Sequence, residues 1–257
     1  MRSLLLCLAL LASAASAGEI VNDVTGLNPI EVERVLAPTE LQQIIDAVRQ
    51  HAGPISIGGG RYSMGGQTAS AGTLQLDMRD FDQVLELSVE RREIRVQSGI
   101  TWREILEYID PHDLSPQIMQ SYANFTVGGS LSVNVHGRYV GEGAMVHSVR
   151  SMRLVLADGS LVEASPSHNR ELFYGAIGGY GSLGVIVEAT LGLAENSRIA
   201  RESQVMPLAD YRPWFYREVQ GQADLVLHNG ILYPDDFDTV RAVSYRRSEL
   251  PLSESAR

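Results

Sequence analysis

Residues 56–68 read SIGGGRYSMGGQT, a short apolar run that ends in three glycines followed at once by Arg61 and Tyr62. Without Cβ atoms a chain can turn sharply and lay its backbone N–H groups against an anion. Phosphate binding is the chemistry this stretch could do, although a glycine-rich surface turn has the same composition. Two more glycine-bearing segments bear on the choice, TVGGSLSVNVHG at 126–137 and GGYGSLGVIVEATL at 178–191. In the first of these Thr126 can cap a helix whose opening turn holds Gly128 and Gly129, which predicts free N–H groups and a positive dipole end facing an anion. A diphosphate fits between that helix start and the turn at 58–60. The sequence contains neither a GxGxxG fingerprint with an acidic residue about 20 positions on nor a GxxxxGK[ST] loop, so Rossmann and P-loop readings fail.

The other reactive residue types narrow the chemistry further. All 21 basic residues are Arg and none is Lys, which excludes Schiff-base catalysis and a P-loop lysine within the chain. His136, beside Gly137, can polarise an oxygen of a bound group or serve as a hydrogen-bonding neighbour. Glu104, Glu107, Asp110 and His112 fall on a helix's wet face and its exit, so no metal site is expected, and spacing alone assigns no Ser-His-Asp triad. Trp102 follows a helix cap and is expected in the core, while Arg91 and Arg92 tip a hairpin. Asn124-Phe125-Thr126 matches a glycosylation acceptor, but it overlaps the proposed anion segment, where a glycan would block a ligand. With a net charge of −10 and a pI of about 5.1 there is no basic stripe for a nucleic-acid backbone, and nucleic acid is not expected as a partner.

The elements that must position these residues can be read from periodicity. Leu41, Ile44, Ile45 and Val48, behind a Thr39–Gln42 capping box, predict an amphipathic helix over 40–52 that Gly53-Pro54 stops. It leads into a strand at 55–57, and TLQLDM then alternates, with Leu74, Leu76 and Met78 on one face, to complete a small α/β layer. Paired strands follow: QVLEL with EIRVQSG, and SMRLVLA with LVEAS through the turn Asp158-Gly159. Thr101 and Glu104 open a second capped helix, TWREILEYI, and RELFYGAI forms a last one before the glycine-preceded strand. After Asn196 the pattern restarts as strand, helix, strand, turn and strand. About 60 residues of this kind make a poor core alone, so 198–257 is expected to be the beginning of a further domain, incomplete here.

The composition, 44% hydrophobic and 20% charged, is that of a globular chain. Residues 1–17, MRSLLLCLALLASAASA, carry Arg2, an apolar run from Leu4 to Leu11 and the triplet Ala15-Ser16-Ala17, which predicts an export signal cleaved before Gly18. The run is too short for a membrane span. Cys7, the one cysteine, lies within it, so the mature protein is expected to be exported, periplasmic or secreted, and free of disulfides.

Four motifs occur in a telling order: the glycine turn with RYSMGGQ, VQSGITWREI, TVGGSLSVNVHG and GGYGSLGVIVEATL. Residues 28–195 thereby resemble the FAD-binding (PCMH-type) domain of the vanillyl-alcohol oxidase and p-cresol methylhydroxylase flavoprotein family. The resemblance implies an α+β fold in which two subdomains over 18–197, a small parallel α/β layer plus an antiparallel sheet with helices, hold FAD. The start of a substrate domain, which in that family covers the isoalloxazine ring, would follow. Carried over residue by residue, Gly58, Gly59, Gly60, Arg61, Tyr62 and Ser63 approach the diphosphate, and Gly99 and Thr101 lie beside the cofactor. Thr126, Gly128, Gly129 and Ser130 line the diphosphate and flavin with Asn134, His136 and Gly137 close behind, and the backbone of Val185 and Ile186 meets the adenine side.

One departure is informative. Many relatives read GHS in the first loop, with the His covalently joined to the flavin; here Tyr62, or Arg61 if the glycines are aligned, holds that place, so FAD is expected without a covalent link there. Tyrosyl attachment occurs in the family from a different part of the fold. The implied activity is an oxidoreductase that takes a hydride from an alcohol, sugar, lactone or related hydroxy compound onto flavin N5 while a base takes the proton. Oxygen or another carrier reoxidises the flavin, and the base, supplied by the substrate domain in that family, is not assigned in this chain. A flavin-binding protein without turnover and an exported binding protein whose glycines serve only turns are the alternatives.

Overall fold

Short β-forming runs open the described part of the chain, residues 18–234 and 237–253 of a computed structural model. The expected export signal and Cys7 lie outside the described residues. β1 (Glu19–Val21) and β2 (Ile30–Val32) pair antiparallel. Next come β3 (Arg34–Leu36), α1 (Leu41–Gln50), β4 (Ile55–Gly58) and β5 (Leu74–Asp77), whose strands form a parallel sheet of order β3-β5-β4. The cap of α1 differs from the expected one by a residue: the carboxamide of Gln43, not Gln42, accepts the N–H groups of Thr39 at 2.8 Å and Glu40 at 3.0 Å, which makes Glu40 the cap residue. Ile44 and Ala47 of α1 pack on Leu74, Leu76 and Met78, as the 3.6 and 2.0 periods require.

Alternation on β5 hides a further fact. Gln75 and Asp77, on the other face, are buried as well, because the 59–73 segment covers that face and Gln75 Nε2 donates to the Thr68 carbonyl at 3.0 Å. A parallel sheet is covered on both faces, and here the second cover is a loop rather than a helix.

The larger layer contains β6 (Val84–Ser88), β7 (Glu93–Gln97), α2 (Trp102–Ile109), β8 (Leu114–Pro116), α3 (Val127–Ser132), β9 (Val149–Val155), β10 (Leu161–Ala164), α4 (Arg170–Ala176) and β11 (Val185–Glu195). Its antiparallel order is β10-β9-β11-β7-β6, with β8 on the far end of β11. Both expected hairpins are present, and Gly159 takes the positive φ of 74° that the β9–β10 turn needs. The inner face of this sheet packs on Trp102, Ile105 and Ile109 of α2, Val127 and Leu131 of α3 and Phe173 of α4. On the outer face Glu188 is held between Arg153, at 2.6 Å, and Arg95, at 3.5 Å.

β12 (Ile199–Pro207), α5 (Leu208–Glu218), β13 (Leu225–Leu232) and β14 (Thr239–Arg247) make a third sheet of order β12-β14-β13 with α5 on one face, matching the strand-helix-strand-strand expectation. This unit is joined to the rest through residues 138–140: Val140 N–H donates to Val226 O at 3.2 Å and His228 N–H to Arg138 O at 2.8 Å. Among the described residues no helix is long and apolar enough to cross a membrane.

Candidate functional site

β4 and β5 run parallel with Gly58 beside Asp77, so both open at their carboxyl ends, the end at which α/β layers bind ligands. The left-handed residue of the turn that follows β4 is Arg61, at φ 60°, and not a glycine. The glycines instead make room. A Cβ on Gly58 would overlap Gln75 Nε2, one on Gly59 would overlap Thr126 Oγ1, and one on Gly60 would press on the Tyr62 ring at 3.0 Å. They let β4 run hard against the cap of α3, where Thr126 Oγ1 accepts the N–H of Gly129 at 3.3 Å and of Gly60 at 3.4 Å. The backbone N–H groups of Gly59, Arg61, Tyr62 and Ser63 donate to no acceptor among the described residues.

The start of α3 differs from expectation. Val127 N–H is taken by Ile100 O at 2.9 Å, Gly128 N–H by Ser98 O at 2.7 Å, and Gly129 N–H by Thr126 Oγ1. The free donors therefore belong to the glycine loop, while the helix start is tied down and serves as its support. Ser130 is likewise engaged, its hydroxyl accepting from Trp102 Nε1 at 2.9 Å in the core.

Positive charge at the loop is fixed by a buried carboxylate. Arg61 Nη2 and Arg79 Nη2 meet Asp77 Oδ2 at 2.7 and 2.6 Å, and Arg79 Nε donates to Oδ1 at 2.8 Å. Burial by itself pushes the Asp77 carboxyl up; the hydrogen bond from Arg79 and the charges of Arg61 and Arg79 outweigh it and hold the group below its ordinary value. Arg79 also feels the charge of Asp80, and Arg61, on the cleft lining, has its Nε buried without a hydrogen-bond partner.

Loop, β5 end, α3 cap and the 180–186 segment enclose a cleft of about 1010 Å3, part of it open to solvent. Of the residues singled out in the sequence, it gathers Gly58, Gly59, Gly60, Arg61, Tyr62, Ser63, Thr126, Gly128, Gly129, Ser130 and Ile186 on its lining. The others stand behind it. Gly99 is packed so closely on the Met78 and Phe81 carbonyls that a Cβ would overlap Met78 O, and Thr101 caps α2 in a box with Glu104, whose Oε2 accepts Thr101 N–H at 2.8 Å. Asn134 Oδ1 accepts Val146 N–H at 3.1 Å, Gly137 abuts Met119 O, and Val185 points into the core beneath α1. His136 is exposed, its Nδ1 3.2 Å from Gly137 O. The Asn124 carboxamide is engaged by Arg103 Nε at 2.9 Å, and the Thr126 of its glycosylation motif is buried.

Thr68, Ser98, Tyr180, Gly181 and Gly184, to which the sequence assigns no role, also line the cleft. Ser98 and Gly184 each precede a residue that was singled out, so position was the available signal. Tyr180, at φ 51° and 67% exposed, has its N–H anchored on Ser132 O at 3.0 Å. Tyr62 lies in an aromatic group with Phe125 and Tyr122, ring centres 5.0 and 5.2 Å away.

Residues 32–165 match the FAD binding domain family. The chain belongs to that family. The match runs from β2 through the β10 turn and so spans the glycine loop, the Asp77 cluster and the α3 cap. Among curated relatives, an uncharacterised oxidoreductase of the fasciation locus of Rhodococcoides fascians is 30% identical over 172 residues, 65% of this chain and 39% of that protein. L-gulonolactone oxidase of Mus musculus is 27% identical over 152 residues, 59% and 34% of the two chains. Alditol oxidase of a Streptomyces species is 30% identical over 165 residues, 63% and 39%. The chain thus spans between 34% and 39% of the length of these relatives. The cofactor of the family is FAD, and the cleft fits it: unpaired amides and a cationic loop suit a diphosphate, and the apolar side chains of Ile57, Met78, Phe125, Val133 and Ile186 suit flat ring systems.

Proposed function

We propose that this chain is the cofactor-holding part of an exported FAD-dependent oxidoreductase acting on an alcohol, sugar, lactone or related hydroxy compound. Bound FAD supplies the acceptor for a hydride from a substrate C–H bond. The observation that carries this reading is the cleft at the β4–β5 carboxyl ends, with its unpaired loop amides and Arg61 on its lining, held from behind by Asp77, which Arg79 also pairs. In this reading the loop amides of Gly59 and residues 61–63 grip the diphosphate, Arg61 neutralises it, and Asp77 fixes the direction of Arg61. Ile57, Met78 and Ile186 exclude water along the rings. Tyr62 packs on Phe125 and Tyr122 and makes no covalent bond to the flavin. The relatives' names, an oxidoreductase, a lactone oxidase and an alditol oxidase, support the substrate class, and the signal-like residues 1–17 support export.

Among the described residues the cleft lining contains no carboxylate and no imidazole, an observation that favours a second reading, flavin binding without turnover by these residues alone. Purified protein separates the two. Flavin absorption that bleaches on adding a sugar, lactone or polyol supports the oxidoreductase; flavin absorption that no such compound bleaches supports the binder.

A further inference from the structure

Seven buried side-chain polar atoms among the described residues lack a hydrogen-bond partner, and three of them, Arg61 Nε, Thr68 Oγ1 and Ser98 Oγ, belong to residues lining the same cleft. Arg61 is explained by the charge of a diphosphate, but the two neutral hydroxyls are not. Ser98 is 2% exposed and clamped at both ends: its N–H donates to Val187 O at 3.0 Å and its carbonyl accepts Gly128 N–H at 2.7 Å. Gly128 leaves the space its side chain needs, since a Cβ there would stand 2.9 Å from Ser98 Cβ. Thr68 is 5% exposed, and its carbonyl is held by Gln75 Nε2 at 3.0 Å, with Gln75 in turn bonded to Ser56 Oγ. Each hydroxyl is therefore fixed by its backbone while its own hydrogen bond is unmade, an arrangement that costs free energy unless a ligand completes it.

We propose that Thr68 and Ser98 are positioning residues for FAD, their hydroxyls donating hydrogen bonds to acceptor atoms of the bound dinucleotide. The proposal rests on the FAD-binding reading. The chemistry matches, because FAD is rich in acceptors, with diphosphate oxygens, ring nitrogens and ring carbonyls, whereas the cleft's apolar walls offer none. It assigns roles to two residues outside the glycine-loop and helix-cap motifs.

The test compares wild type, Thr68→Val, Thr68→Ser and Ser98→Ala as full chains. FAD affinity is measured by titrating flavin-stripped protein and following flavin fluorescence, and thermal unfolding of the stripped protein is measured alongside. Thr68→Val and Ser98→Ala each weaken FAD binding about three- to tenfold, Thr68→Ser stays within twofold of wild type, and the stripped Thr68→Val and Ser98→Ala proteins melt no lower than wild type, because an unsatisfied buried group has been removed. Unchanged affinity in both hydroxyl-free variants overturns the proposal, as does a loss of affinity that follows a lower melting temperature of the stripped protein. A wild type that takes up no FAD overturns the cofactor reading and this proposal together, whereas unchanged variants beside a binding wild type overturn this proposal alone.

Discussion

Arg61 holds a left-handed conformation at φ 60° that costs an L-residue roughly 1–2 kcal/mol, and its ion pair with Asp77 keeps it there. Arg61→Ala loses the ion pair and retains the strain, whereas Arg61→Gly loses the ion pair and relieves it, so the glycine variant is expected to be the more stable of the two by about 1 kcal/mol in denaturant unfolding. Asp77 gives a pH dependence. Its folded-state pKa is depressed, so its contribution to stability is full above the ordinary value of 3.8 and is lost as pH falls through the lowered folded value. Melting temperature followed from pH 6 downward, a range chosen roughly around the ordinary carboxylate value, should fall for wild type and fall less for Asp77→Asn, which starts lower. Equal slopes would show that Asp77 contributes nothing to the acid dependence. Gly59→Ala drives a Cβ into Thr126 Oγ1; overpacking of this kind costs about 1–3 kcal/mol, and the displaced loop should bind FAD more weakly, as equilibrium dialysis would detect.

The elements that carry the site were legible to different degrees. α2 was readable to its cap, because Thr101 and Glu104 form a reciprocal box with its partners three residues apart; Thr101→Ala should lower stability by about 1 kcal/mol in thermal unfolding. The hairpin turn at Gly159 and the alternation of Leu74 and Leu76 were readable for the same reason, each being decided by neighbours in sequence. What failed was decided by neighbours in space. The first-turn N–H groups of α3 looked free until Ser98 and Ile100, about 30 residues earlier, were seen to accept two of them. Gly58 and Gly59 do line the cleft, but the contacts that forbid a side chain there come from Gln75 and Thr126, which no local pattern announces. The burial of Gln75 and the orphaned hydroxyls of Thr68 and Ser98 leave no periodic trace at all, because a loop crossing a sheet face follows no repeat.

At the scale of the whole molecule, the end of β9 and the start of β11 serve two cores, Val155, Val185 and Val187 packing with α1 and the parallel layer and Leu154 and Ile186 with the core of the antiparallel sheet, and the cleft opens along that junction. The third sheet joins the larger body through residues 138–140, adjacent in sequence to the cleft-lining Val133 and Val135. The cleft at the β4–β5 ends is proposed to hold FAD with no bond to the chain, Tyr62 and Arg61 standing where the resemblance to the flavoprotein family implies a flavin-linked histidine. Purifying the protein, recording its visible absorption and then precipitating it with acid decides whether this is so. An oxidised-flavin spectrum in the native protein and all of the flavin in the acid supernatant are expected; a protein without flavin that also binds none when FAD is added, or a flavin that stays with the precipitated polypeptide, would overturn this reading.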